Sequence, residues 1–200
     1  MVPHVKALFS SCFYRIRSFK QIRSSLDDSM AASDAWALIS SRLDQLNSIL
    51  YGTLLKHTAR LQHIQYAAAR VALYRQSRSS PLSLNELLNQ LHWLYIEWRM
   101  RFKLATLTFN DLHTGRMPYL SDLLQYHEPT RSRHSSSSHQ LSVPRHNLTF
   151  GSCAFRSTAP RVWNSLPASS RETKSLLTFR RHLKTHYFQS VYPHSAVNLA

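Results

Sequence analysis

The chain of 200 residues carries 25 Lys and Arg against 10 Asp and Glu, which gives a net charge of +15, and 43% of its residues are hydrophobic. This length suits one domain, or one domain with a loose tail, and the apolar and aromatic content excludes a wholly disordered protein. Three Gly are too few for many tight hairpins or for a phosphate-cradling glycine loop, so helix is the expected structure.

The positive charge is concentrated at the two ends of the chain. Residues 1–25 hold five basic and no acidic groups, residues 26–128 hold ten basic and nine acidic groups, and residues 129–200 hold ten basic groups and one acidic group. Cationic ends attract a polyanion and release its counterions, which predicts salt-sensitive binding to the backbone of RNA or DNA. The alternative is a solubilising surface, or charge that pairs with an acidic neighbour in a larger protein.

Hydrophobic spacing predicts helices along the first part of the chain. Residues 5–23 form a basic helix in which Phe and Tyr alternate with Lys and Arg, and its aromatic side chains serve either as a packing face or as a platform for unpaired bases. Asp27 and Asp28 precede a second helix, at 29–51, and are expected to cap it. A third helix is predicted at 54–74.

Three further helices are predicted up to residue 126, the first of them short and capped by Ser83. A long helix follows and ends at Gly115, and a final short one covers 119–126. The apolar stripe that predicts the long helix consists of Leu94, Trp98, Phe102, Ala105, Phe109 and Leu112.

The chain changes character after residue 126. Residues 127–140 are predicted to be a flexible basic linker, because Arg, His and four consecutive Ser leave no apolar group to bury. Residues 141–190 form a tail with a short strand at 141–143, an irregular segment or short helix at 155–166, and a basic amphipathic helix near 176–187, before a disordered end at 191–200. The expected fold is therefore mainly α, an irregular multi-helix bundle with a Ser/Arg/His-rich linker and a small C-terminal segment that ends in this helix.

The sequence contains no set of residues that predicts catalysis. Metal-dependent phosphoryl transfer needs carboxylates from separate elements, and the only adjacent acidic pair is better explained as the cap described above. His182 and His186 lie four apart, but Leu183 stands where a metalloprotease motif requires Glu. We therefore expect no enzyme activity, metal, cofactor or small-molecule substrate for this chain.

Cysteine usage and hydropathy bear on where the protein works. Two Cys, at positions 12 and 153, predict reduced thiols rather than a disulfide framework. The sequence shows neither a signal peptide nor an apolar run of membrane-spanning length. We expect an intracellular protein, nuclear or cytoplasmic and not secreted, with no membrane partner.

A series of short motifs resembles one family of proteins. They are ISSRLD at 39–44, NSILYG at 47–52, LQHIQ at 61–65, AAAR at 67–70, LHWL at 91–94, PYL at 118–120, VPR at 143–145, APRVWNSLP at 159–167, and Phe179 with LKTH at 183–186. In this order, over about residues 5–188, they resemble the region after the polymerase core of LINE-type (non-LTR) retrotransposon reverse transcriptases. The jockey-like and chicken-repeat-like groups are the nearest.

The resemblance implies that residues 1–126 are a thumb-like region and that the polymerase palm, with its carboxylates, and the endonuclease are absent. The chain would then be a non-catalytic fragment whose parent enzyme uses this region to hold template–primer or element RNA, with the missing palm as a partner. Two alternatives stay open: a free-standing basic nucleic-acid-binding module, and part of an active RNA-directed DNA polymerase from a longer product. The candidates for phosphate contact are Arg15, Arg17, Lys20, Arg23, Arg180, Arg181 and Lys184.

Overall fold

Helices account for most of the part of the chain that this computed structural model describes, namely residues 2–44, 55–73, 82–115, 118–127, 139–145 and 154–193. The mainly helical fold predicted from hydrophobic spacing is confirmed. The helices are α1 (Val2–Ile22), α2 (Asp28–Asp44), α3 (Leu55–Ala72), α4 (Leu84–Gln90), α5 (Ile96–Thr114), α6 (Pro118–Ser121), α7 (Phe155–Asn164), α8 (Ala168–Arg171) and α9 (Leu176–Val191).

Several sequence predictions fall wholly or partly outside the described residues. They are the continuation of the second helix to residue 51, the ends of the third helix at residues 54 and 74, residues 128–138 of the linker, the reduced state of Cys153, and residues 194–200 of the disordered end.

The described residues divide into two compact units, and the boundary lies inside α5, between Arg99 and Met100. The sequence instead predicts that residues 100–126 belong with the N-terminal helices. They group with the C-terminal ones because Phe109 of α5 stacks on Phe179, with 4.3 Å between ring centroids, and lies 6.5 Å from Trp163. A residue of one long helix therefore supplies part of the core of the second unit.

In the first unit, α1 packs against α2 and α3, and α2 packs against α3. The buried side of α1 repeats every three or four residues, which is the helical period. Fully buried alanines line the facing sides of α2 and α3, and such small side chains allow two helix backbones to approach closely. The buried residues of α1 are Leu8, Cys12, Ile16, Phe19 and, after the helix, Arg23; the alanines are Ala31, Ala35, Ala68 and Ala72.

Two glutamines of α3 attach the start of α5 to the first unit. Gln65 donates from Nε2 to the carbonyl of Leu94 at 2.8 Å, and Oε1 of Gln62 accepts from the backbone N–H of Ile96 at 3.0 Å. The second bond satisfies one of the N–H groups that the first turn of a helix leaves without an intrahelical acceptor. Just before these contacts in the chain, Trp93 is buried and its ring lies 5.5 Å from that of Trp36.

The predicted caps at Asp27 and Ser83 are present, whereas Asp28 is the first residue of α2 and bonds Arg23 instead. Asp27 accepts the backbone N–H of Met30 through Oδ1 at 2.7 Å, as expected for a residue that caps α2. Ser83 and Glu86 form a capping box at α4, in which Oε2 of Glu86 accepts from the N–H of Ser83 at 2.7 Å and Oγ of Ser83 accepts from the N–H of Glu86 at 3.3 Å. These bonds from the backbone and hydroxyl of Ser83 lower the pKa of Glu86.

The predicted inner stripe of the long helix is only partly correct. Ala105 and Phe109 are buried, but Trp98 and Phe102 are half-buried, and the buried side of α5 also includes Met100, Leu104 and two threonines. Thr106 and Thr108 can be buried because their hydroxyls donate to carbonyls four residues earlier, at 2.7 and 2.9 Å. Because Thr is treated as polar in a hydrophobic pattern, a prediction from that pattern places the buried side of α5 incorrectly.

In the second unit, the segment 139–145 is held by two neighbouring residues of α7. Trp163 donates from Nε1 to the carbonyl of His139 at 2.7 Å. The amide of Asn164 pairs with both backbone groups of Leu141, each at 2.8 Å, as a neighbouring strand would. In place of the predicted strand at 141–143, the structure has a single antiparallel bridge between Leu141 and Tyr126. The side chain of Asn164 forms the hydrogen bonds to Leu141 that a second neighbouring strand would form.

The same bridge changes the interpretation of the predicted linker. The backbone N–H of His127 donates to the carbonyl of Gln140 at 2.9 Å, and that of Ser142 donates to Gln125 at 2.7 Å. Residues 127 and 140, at the two ends of the predicted linker, are thus hydrogen-bonded neighbours.

Candidate nucleic-acid interface

The outer side of α1 carries an aromatic and two cations. Arg17 and Lys20 are exposed, and Arg15 is half-buried at the edge of the helix. Tyr14, with 74% of its surface exposed, lies three residues before Arg17 and shares its side of the helix. An exposed ring beside a guanidinium suits single-stranded nucleic acid, in which bases stack on aromatics while cations contact phosphates.

Arg23 is not part of that surface, and its predicted role as a phosphate contact is wrong. Only 2% of it is exposed. Its Nε and Nη2 donate to the carbonyls of Val71 and Ala72 at 2.8 to 3.1 Å, Nη1 donates to Leu26 at 2.9 Å, and Nη2 also bonds the carboxylate of Asp28. Its guanidinium caps the C-terminal end of α3, where a cation meets the negative end of the helix dipole.

A second cation lies near Arg15, and sequence reasoning did not single it out. Burial raises the pKa of the Cys12 thiol, while the charges of Arg15 and Arg42 act in the opposite direction. Arg15 of α1 and Arg42 of α2 are thus both close enough to act on one buried thiol. Arg42 lies in the nearly neutral middle of the sequence, where charge counting gives no signal.

The second unit presents its cations most clearly on α9. One side of this helix is buried through Phe179, Leu183 and Tyr187. The three cations predicted on it, at positions 180, 181 and 184, are all exposed, and the 16 residues of α9 include no Asp or Glu. Positions three or four apart are neighbours on a helix surface, so these like charges face one another. The structure therefore brings Arg180, Arg181 and Lys184 together.

Further exposed cations of this unit were not among the predicted contacts. Arg156 and Arg161 lie on α7, Lys174 precedes α9, and Lys103 lies on α5. Their signal in the sequence is collective, because residues 154–193 alone hold seven Lys and Arg against one Glu. The side chain of Arg171, in contrast, is buried.

Within the described ranges, no three His, Cys, Asp or Glu residues are grouped so that they could hold a metal ion. Over the same ranges, no helix is both long and apolar enough to cross a membrane. The described surface offers exposed cations together with exposed tyrosines, which are Tyr14, Tyr119 and Tyr126.

Comparison of the chain with protein-family models, with curated proteins and with solved structures finds no match in any of the three.

Proposed function

We propose that this chain binds the phosphate backbone of RNA or DNA, as a non-catalytic fragment of a LINE-type retrotransposon reverse transcriptase. Its two candidate contact surfaces are α9, with Arg180, Arg181 and Lys184, and the outer side of α1, with Tyr14, Arg17 and Lys20.

The proposal rests on the three exposed cations of α9, a helix without acidic residues. Three cations repel one another on a helix that contains no carboxylate to offset them, and each adjacent like-charge pair costs about 0.2–0.5 kcal/mol. Burial of Phe179, Leu183 and Tyr187 fixes which side of the helix meets solvent, so all three cations start from backbone positions on the exposed side. A polyanion relieves this repulsion and releases its own counterions on binding.

The experiment is a salt titration of binding to a single-stranded RNA. We expect log Kd to depend linearly on log salt concentration, and the triple variant Arg180→Gln, Arg181→Gln, Lys184→Gln to reduce that slope by up to about 2, because each phosphate contact to a single strand contributes about 0.7. The matched control removes three other exposed cations of the same unit, at Lys103, Arg156 and Arg161. Absence of RNA binding at low salt would refute the proposal. If the two triple variants give the same slope of log Kd against log salt concentration, α9 is not the contact surface.

The assignment to reverse transcriptases rests on the ordered series of motifs. Many of their described residues have packing roles: Gln62 and Gln65 hold the start of α5, and Trp163 and Asn164 hold the segment after the predicted linker. Two tests apply: an open frame encoding a polymerase palm just upstream of residue 1 in the genomic DNA supports the assignment, and primer extension by the purified chain with Mg²⁺ and nucleotides contradicts the non-catalytic part of it.

A free-standing binding module is the second candidate, and the two buried cores favour it. Phe19 and Leu61 in the first unit, and Trp163 and Phe179 in the second, are buried by other residues of this chain. A chain that fills its own cores does not need a palm domain in order to fold. Cooperative urea unfolding of the isolated chain supports this candidate, whereas a gradual transition favours the dependent fragment.

A further inference from the structure

Arg171, the last residue of α8, is a buried cation, and two of its three side-chain nitrogens have no hydrogen-bond partner in the described structure. Only 5% of the residue is exposed. Its Nε and Nη1 atoms are fully buried, and neither has a hydrogen-bond partner among the described residues. Arg23, the buried arginine of the first unit, differs because its donors bond three backbone carbonyls and a carboxylate.

Buried guanidinium nitrogens without acceptors are an unfavourable arrangement. Arginine keeps its positive charge in proteins, so it cannot become neutral as a buried lysine or histidine can. Burying an ion without a partner costs several kcal/mol, and most buried polar groups are hydrogen-bonded for that reason. An acceptor that arrives from outside the chain would remove this cost.

The surroundings of Arg171 favour an anion with more than one charge. Residues 154–193 hold one acidic residue, Glu172, whose side chain is exposed; the other described acidic residues of this unit, Asp111 and Asp122, belong to an earlier part of the chain. Lys174 is exposed three residues further on, and α9, which packs against α8, begins at Leu176 without a side-chain cap at Ser175. A phosphate group matches these features, because a guanidinium can donate two parallel hydrogen bonds to it and the N-terminal end of a helix favours negative charge.

We infer that Arg171 is the buried anchor of a phosphate-binding site between α8 and the start of α9, assisted by Lys174. The phosphate can be a free ion or one group of a nucleic-acid backbone. In the second case the inference deepens the proposed function, since it assigns one specific phosphate contact beside the exposed cations of α9.

The experiment compares thermal unfolding in sodium phosphate and in sodium chloride at equal ionic strength and pH. We expect the unfolding midpoint of the wild-type chain to rise by about 3–6 °C when phosphate exceeds its dissociation constant tenfold. Arg171→Met should unfold at a higher temperature than wild type in chloride, because an apolar side chain replaces an unpaired buried ion, and should lose the response to phosphate. Thr178→Ala, an exposed position on α9, is the control that keeps the response.

A measurement on the unaltered chain covers the case in which Arg171→Met does not fold. The Nε–H resonance of Arg171 should shift on titration with inorganic phosphate and stay in place with chloride. No shift, and equal unfolding midpoints in the two salts, overturn the inference.

Two further results separate this site from the proposed function. If phosphate binds and RNA does not, the site takes a free ion and the proposed function fails. If RNA binds with the same affinity to wild type and Arg171→Met, the proposal that α9 contacts nucleic acid is retained, and Arg171 is not one of the contacts.

Discussion

Replacing Arg23 by Met separates a structural arginine from a nucleic-acid contact. The change removes hydrogen bonds to the carbonyls of Leu26, Val71 and Ala72 and leaves Asp28 without its cation. Breaking a buried pair on one side costs about 3–5 kcal/mol. The side chain of Asp28 is 41% exposed, so water compensates part of the loss, and we expect the lower end, about 3 kcal/mol.

Urea unfolding of the whole chain measures this loss. Arg17→Met on the exposed side of the same helix is the matched control and should change the free energy of unfolding by less than about 0.5 kcal/mol. Arg23→Lys keeps the charge but not the planar fork of donors, and should fall between the two. At urea concentrations below its unfolding transition, Arg23→Met should bind RNA with the same salt dependence as the wild-type chain. Arg17→Met should show a different salt dependence.

Two outcomes would refute this reasoning. A free energy of unfolding for Arg23→Met within 1 kcal/mol of wild type would mean that the guanidinium does not hold the end of α3. A reduced salt slope for the folded Arg23→Met protein would mean that Arg23 contacts phosphate after all.

Two further predictions concern other contacts. Asn164→Ala should lower the free energy of unfolding by about 1–2 kcal/mol, because both backbone groups of Leu141 lose their partner. Amide hydrogen exchange at Leu141 should accelerate, and unchanged exchange would contradict the pairing. Ser83→Ala should raise the pKa of Glu86 part of the way to its ordinary value of 4.5, because the backbone bond remains. Because the pKa of Glu86 is lowered in the folded protein, the capping box stabilises α4 above pH 4.5, and this contribution disappears as the pH falls below that value. A carboxyl titration by NMR that gives the same midpoint for wild type and Ser83→Ala would exclude the effect.

The presence of the helices could be predicted from the sequence, because each buries one side and the spacing of its apolar residues shows this locally. The exposed cations of α9 follow from the same local rule. Once Phe179, Leu183 and Tyr187 define the inner side, the outward position of Arg181 is determined by helix geometry.

What could not be predicted depends on residues far apart in the chain. Arg23 belongs to a run of basic residues, and nothing near it indicates that carbonyls 48 and 49 positions later would surround its guanidinium. The pairing of Asn164 with Leu141, 23 positions earlier, is equally remote. The buried, unpaired state of Arg171 leaves no trace in a charge count, because that count treats every arginine as solvated.

The bridge beside Tyr126 has a practical consequence for protein engineering. His127 and Gln140 are joined by a backbone hydrogen bond, and Trp163 and Asn164 hold residues 139–141, so positions 127 and 140 are neighbours in the second unit. The entropic cost of connecting two neighbouring points of a chain grows only by about 0.6 kcal/mol for each doubling of the length of the connection. A label or an affinity tag inserted between positions 128 and 138 should thus leave the two anchor points, and the helices behind them, undisturbed.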